Sequence, residues 1–443
     1  MRLSHKLGGN SKEETQNAFF FNIKELLLNS SLSVPNHLIN LAINFIIFVL
    51  MARFLGTAEI GDYAIAIAIA SIIFGIANFG LQAILIRQVS ITPDQAERYL
   101  SHALSIRVFI SLPVGTTLCY LLASILEFEA GLIELILLTS IYVWNSSIVL
   151  LFYSLFQSVN RFHNQLTSNI IHKICSLLGS VGLLYINCNI FQLMLFFAVL
   201  QGFFIFLLIA ITRNNICKVK FGFDFDFCKK YILESLPLSL AGTAEFVNLK
   251  SDTIILGNYK SNIEAGIYNA AYNIYQGMMA IPYAVIVAFF PTFSRYYSHS
   301  KSQAYHFYKI IFLLTAFATV TISLIVGLFS DEIVQFIYGQ EYTNAGLVVL
   351  LLSISLPFLI LNRLNNFVLV TMKQQKWLFY LIFSGAIFNV ITNILVIPTY
   401  SYIGAAVTTI LTECLMMIAG LIRIRHIFLS NCNEDCIINE FQQ

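Results

Sequence analysis

Charge is what this sequence has least of. Asp, Glu, Lys and Arg together make 11% of the 443 residues, against 58% hydrophobic. Soluble domains carry about 25% charged residues, so this chain cannot build one water-facing surface around a single core. Other absences narrow the field. No Gly-x-x-x-x-Gly-Lys-Ser/Thr loop occurs, which excludes a P-loop nucleotide engine. The eight cysteines are scattered, and Cys432 and Cys436 are the only close pair, with no second pair or histidine to complete a metal site. Most cysteines fall in apolar stretches or basic loops, where disulfides are not expected. Residues 1–30 hold Lys6, Lys12, Glu13, Glu14 and Lys24 without a continuous apolar stretch or a small-residue cleavage site, so they read as a cytoplasmic tail.

What is present is apolar sequence in lengths suited to a bilayer, whose hydrocarbon core takes roughly 20 residues per helix. Such stretches lie near 33–53, 63–85, 103–126, 131–153, 168–187, 190–211, 232–256, 266–292, 309–329, 346–370, 377–397 and 401–422. About twelve transmembrane helices are therefore expected, called spans 1 to 12 below. With the tail and the even-numbered connections on the cytoplasmic side, all but four of the 25 lysines and arginines fall there. The exceptions are Arg53 and Lys260 outside, and Lys250 and Arg363 within spans. A missed helix would invert every later loop and destroy that pattern, so both termini are expected in the cytoplasm.

A short polar cluster occurs twice. "ARFLGTAEIGDYA" begins at Ala52, and "LGNYKSNIEAGIYNAA" begins at Leu256. An offset of 205 superposes Glu59 on Glu264, Gly61 on Gly266, Tyr63 on Tyr268 and Ala66 on Ala271. The copies fall between spans 1 and 2 and between spans 7 and 8, which implies a duplication of six plus six helices. Because six is even, the halves share one orientation and are related by an axis along the membrane normal. The expected organisation is a tail (1–30), an N-lobe (31–212), a basic inter-lobe loop (213–231), a C-lobe (232–424) and a C-terminal tail (425–443). The basic loop suits anionic lipid headgroups and needs no nucleic acid.

Polar residues inside the spans are the candidate site. On span 1, Asn36, Asn40 and Asn44 share one helix face, with His37 beside it; on span 2, Asn78 and Gln82 pair at i+4. The second half repeats this with Glu245, Asn248 and Asp252 on span 7 and Asn269, Asn273 and Gln276 on span 8. Amides and carboxylates bind several hydroxyls at once, and the neighbouring Tyr268, Tyr272 and Tyr275 offer faces for sugar rings. Such amides also join helices to one another, so a cavity lining and a helix tie both remain open for each stripe. An intramembrane charge costs roughly 3 kcal/mol on the insertion scale and normally faces an interior or water-filled space. Glu245, Lys250, Asp252 and Arg363 are in that position. Lys250 and Asp252 lie toward the outer end, where snorkelling or pairing explains the lysine. Arg363 follows Pro357 by six residues, and a proline there can break the helix, as can Pro282 in span 8.

The series "ARFLGTAEIGDYA", "SDTIILGNYKSNIEAGIYNAAYNI", "FFPTFSR", "IYGQEYTNAG" and "IPTYSYIGAAVTTILTE" resembles, in order from span 1 to span 12, the landmarks of the bacterial polysaccharide-transporter family. This is the O-antigen and capsule repeat-unit flippase branch of the multidrug/oligosaccharidyl-lipid/polysaccharide exporter superfamily. The resemblance implies an all-α integral membrane protein with two parallel six-helix lobes around a central cavity. It further implies a non-enzymatic exporter of undecaprenyl-pyrophosphate-linked oligosaccharide, working by alternating access in the bacterial inner membrane, with membrane lipids and other polysaccharide-assembly proteins as partners. No cofactor is expected beyond a proton or Na+ gradient. Within that picture Arg363 attracts the pyrophosphate and the polar stripes hold the sugars. The rival readings are an ion-coupled multidrug exporter of the same fold, a lipid II flippase, which usually has extra helices, and a membrane-bound polymerase or ligase, for which the outer loops near 257–265 and 330–345 are short.

Overall fold

The repeated polar cluster makes a turn in each half of the molecule. In the computed structural model, which describes the backbone of residues 11–440 and the side chains of Asn36 and of residues 38–429 except 281, 284, 287 and 288, the first helix, α1 (Ser11–Ala77), doubles back at Gly56. Gly56 has φ 80° and ψ 178°, a conformation open essentially to glycine alone. Spans 1 and 2 are the two legs of α1. Span 2 breaks again at Phe79 and Gly80, both at positive φ, and continues as α2 (Leu81–Ile91).

The remaining helices follow the apolar pattern. Span 3 is α3 (Ala96–Ile106), one turn of π-helix and α4 (Leu112–Ile125); spans 4, 5 and 6 are α5 (Ala130–Ser158), α6 (Phe162–Tyr185) and α7 (Ile190–Asn215). Spans 7, 8 and 9 are α8 (Phe225–Tyr259), α9 (Asn262–His299) and α10 (Lys301–Leu328), and a short helix α11 (Ser330–Tyr338) leads to span 10, α12 (Ala345–Thr371). Spans 11 and 12 are the legs of α13 (Gln375–Glu440), which turns at Ser401. Among the described residues there is no strand, and seven helices are long and apolar enough to cross a membrane, two of them being the doubled α1 and α13. Two expectations are corrected. Pro282 and Pro357 sit inside unbroken α9 and α12, and Arg107, read as a basic loop residue, is completely buried within span 3.

The two turns meet. A Cβ on Gly61 would lie 1.7 Å from the Asn262 carbonyl oxygen, and a Cβ on Gly266 would lie 2.0 Å from the Thr57 carbonyl oxygen. Thr57 and Asn262 are related by the same offset of 205 as the two glycines. Each turn therefore makes to the other the contact it receives, as a two-fold relation requires. The glutamates of the repeat do matching work. Glu59 accepts from the backbone N–H of Ile190 at the start of α7, and Glu264 accepts from Ser401 Oγ at the turn of α13. Both carboxylates thus anchor the last span pair of their own half.

Further bonds fasten this end, termed the seal. Asn262 donates to Asp62 (2.6 Å), the Glu341 carboxylate accepts from the backbone N–H and hydroxyl of Thr57, and Arg53 donates to the carbonyls of Phe336 and Ile337. The opposite end carries the lysines and arginines. There Lys220 pairs with Glu97 (3.1 Å), Arg98 with Asp224 (3.5 Å) and Arg87 with Glu234 (2.9 Å), so the inter-lobe segment is held against α2 and α3. Gly61→Val and Gly266→Val are each expected to force the turns apart, at a cost of about 1–3 kcal/mol for overpacking. In an otherwise cysteine-free background, disulfide formation in an Asp62→Cys/Asn262→Cys pair should fall equally for both substitutions. A fall with one and not the other would contradict the two-fold contact.

Candidate functional site

Below the seal the halves diverge and enclose a cavity of about 390 Å³. Its wall takes Asn44, Phe48 and Met51 from span 1, Tyr63 and Ser71 from span 2, and Tyr142 and Ser146 from α5. It also takes His172 and Lys173 from α6, Lys250 from α8, and Asn269, Tyr272, Asn273 and Gln276 from α9. A side gap of about 170 Å³ between span 1 (Asn40, Leu41, Asn44, Phe45) and span 8 (Asn273, Gln276, Gly277) adjoins it. A third space of about 300 Å³, lined by Glu245, Arg363, Tyr272 and Gln276, opens toward the C-terminal half. Gln276 borders all three.

The expected site residues divide into three groups. Asn44, Lys250, Asn269, Tyr272, Asn273 and Gln276 line the central cavity, and Asn40, Glu245 and Arg363 line its extensions. Asn36 and Asn40 both accept from Asn169 of α6 (2.6 and 3.0 Å), so this part of the span 1 stripe ties helices together. Asn248, Asp252 and Tyr268 turn away into the C-terminal half: Tyr268 donates to Asp252, and Asn248 faces Glu413. Asn78 is buried beside the break in span 2, and neither it nor Gln82 borders the three spaces. The side chain of His37 lies outside the described residues.

The charges are arranged differently from the sequence reading. Arg363 forms an ion pair with Glu245, so its charge is already balanced across α8 and α12. Glu413, 4% exposed, is held by Asn362 (3.0 Å) and Asn248 (3.5 Å). Lys250 does not snorkel to the surface. Its ammonium stands 5.4 Å from the Tyr272 ring centroid, inside the cavity.

Lys173, counted in the sequence as a basic loop residue, reaches the same cavity and donates to Asn44 (2.7 Å). Among the described residues no ion pair includes either lysine, and no carboxylate lines the 390 Å³ space. The signal that could have found Lys173 was its place inside span 5, beside His172 and three residues before Ser176.

Residues 26–297, more than half of the chain, match the family model described as polysaccharide biosynthesis protein. The chain belongs to that family. Among curated proteins, the capsular polysaccharide biosynthesis protein CapF of Staphylococcus aureus is 22% identical over 388 residues, covering 85% of this chain and 93% of CapF. The probable low-salt glycan biosynthesis flippase Agl15 of Haloferax volcanii is also 22% identical, covering 84% of this chain and 77% of its own. Among solved structures, the lipid II flippase MurJ in an inward closed conformation superposes with a TM-score of 0.73 over 90% of this chain and 87% of MurJ. At 16% identity that likeness shows the fold alone. The chain is a multi-pass membrane protein of the polysaccharide-transporter kind.

The Arg363–Glu245 pair yields a direct test of its role. Neutralising one partner strands the other, so Arg363→Gln and Glu245→Gln should each lower stability by about 1 kcal/mol after solvent screening, a shift of about 2 °C. Arg363→Gln/Glu245→Gln should recover most of it in a thermal unfolding measurement in detergent. Failure to recover would assign the guanidinium to Glu413 or to a ligand.

Proposed function

We propose that this protein carries a lipid-linked oligosaccharide, with the anionic linkage of an undecaprenyl-pyrophosphate carrier, across the cytoplasmic membrane. The observation that carries the reading is a cavity between two halves that holds a lysine from each half and no carboxylate. Two ammonium groups facing one water-filled space repel each other and have each cost roughly 3 kcal/mol to place in a membrane span. A pyrophosphate with its several acceptor oxygens compensates both at once. The amides of Asn44, Asn269, Asn273 and Gln276 and the rings of Tyr63, Tyr142 and Tyr272 surround that point and suit hydroxylated sugar rings. The gap between spans 1 and 8 leaves the lipid tail a way to stay in the bilayer while the head is inside.

The same charge pattern disfavours a multidrug exporter for organic cations, which would meet Lys173 and Lys250 first. A polymerase or ligase would need a catalytic set, and the polar residues of this cavity are amides, phenols, serines, His172 and two lysines, with no carboxylate among them to pair with the histidine. The seal end faces outward and the basic end faces the cytoplasm, following the bias of lysine and arginine. Transport then requires the seal to open as the basic end closes, an alternating access driven by a proton or Na+ gradient or by consumption of the glycan outside. Asp252 and Glu413, buried in the C-terminal half, are the carboxylates available for such coupling.

The test is export in a strain deleted for this gene, read as surface glycan and as lipid-linked oligosaccharide accumulated inside. Each charge-assisted bond is worth about 1.5–3 kcal/mol, so Lys173→Gln and Lys250→Gln should each reduce export by roughly 10-fold or more at equal protein level. Lys→Arg at either site should retain part of it. Arg363→Gln/Glu245→Gln should export nearly normally. Wild-type export by Lys173→Gln/Lys250→Gln would remove the cavity from the transport path.

A further inference from the structure

A second opening lies on the bilayer-facing wall of the C-terminal half, between α10 and the final leg of α13. It is a groove of about 470 Å³. Tyr308 and Ile424 form its floor, at 3% and 1% exposure, and the Tyr308 hydroxyl is turned inward to donate to Asn365 (2.7 Å). Its walls are Phe312 and Leu313 on one side and Ile418, Leu421 and Ile422 on the other. From Tyr305 to Leu313 the helix rises about 12 Å, the length of a stretch of acyl chain.

The groove is apolar along its length and cationic at one end. Lys309 and Arg425 stand there, both solvent-exposed, at the basic end of the molecule. Among the described residues neither has an ion pair, and no carboxylate lines the groove. The described partner of Lys309 is the Tyr305 ring, 4.3 Å from its ammonium, which leaves its charge uncompensated. An apolar trough ending in two cations that have no ion pair among the described residues matches a molecule with a hydrocarbon chain and a phosphate head. Charge repulsion between the two cations weakens when that phosphate sits between them.

We propose that this groove binds an anionic phospholipid, one acyl chain along the apolar walls and its phosphate between Lys309 and Arg425. The occupant is a resident phospholipid rather than the glycan carrier, because no lining residue of this groove borders the central cavity. A carrier held here would have its head away from Lys173 and Lys250. The bound lipid would fill the space between span 9 and span 12, which meet only lightly. Only the leaflet, the cytoplasmic one, rests on the orientation proposed above; the binding does not.

The experiment is native mass spectrometry of the purified full-length protein, titrated with phosphatidylglycerol or phosphatidylethanolamine. A basic residue near a lipid phosphate is worth about 1 kcal/mol, or about fivefold in affinity. Phosphatidylglycerol should therefore bind severalfold more tightly than the zwitterionic lipid, and Lys309→Gln/Arg425→Gln should abolish the difference. Leu421→Trp, which fills the groove and keeps both charges, should also lose the bound lipid, whereas Arg213→Gln/Lys218→Gln should lose none. Equal retention of the two lipids, or phosphatidylglycerol binding unchanged in the groove variants, would overturn the proposal. So would retention of undecaprenyl phosphate, with phosphatidylglycerol unable to compete, through the same two residues. None of these outcomes depends on export, so a failure here is separate from a failure of the transport reading.

Discussion

Everything in this molecule hangs on the close approach of two glycine turns. Gly61 and Gly266 let the backbones of the two halves touch, each glycine lying where a Cβ would overlap the other half's carbonyl. That contact fixes where spans 1, 2, 7 and 8 converge, and so fixes where they part. The cavity is the space left between helices that meet at one end only. The Glu341 carboxylate on Thr57 and the Asn262–Asp62 bond hold the meeting point shut. They are polar contacts between exposed or half-buried groups, each worth only about 1 kcal/mol, so the seal is one that modest forces can open.

The halves meet through equivalent turns and differ in chemistry. The N-terminal half contributes Lys173, His172, Tyr63 and Tyr142 to the cavity, while the C-terminal half contributes Lys250 and the amide and tyrosine face of α9. The C-terminal half also keeps a polar interior of its own, where Ser251, Asn389, Asn393, Thr412 and Asp252 bond among themselves and their neighbours. Interior polar groups in a membrane protein must be satisfied within the protein.

Much of this could be read from residues alone, and the reason is physical. The bilayer imposes a length on every span, so the apolar stretches marked where the helices run, and the repeated polar cluster marked the two turns that meet. The candidate site was less legible. Asn273 and Gln276 face the cavity as their stripe implies, but Asn36 bonds to Asn169 and Asn248 faces Glu413, and i, i+4 spacing cannot tell a cavity face from a helix contact. Lys173 was lost for a different reason. It was counted with the cytoplasmic basic residues although it lies within span 5, and a lysine that snorkels and a lysine that turns inward look the same in sequence. Arg363 stood out because it was central, and its partner Glu245 lies on a distant span, a pairing that spacing along one helix does not reveal.

The central claim is that the glycine contact seals one end of a cavity that the other end exposes in turn. Phe54 and Tyr259 are exposed and related by the duplication at the seal, and Ile91 and Tyr296 are exposed and related in the same way at the basic end. Spin labels on each pair, with distances measured by pulsed electron resonance in lipid discs, report the two ends separately. The account predicts a single short distance at the seal without substrate and, with lipid-linked oligosaccharide present, a second population in which the seal distance lengthens as the basic-end distance shortens. Both distances lengthening together, or a seal distance that is long from the start, would contradict it.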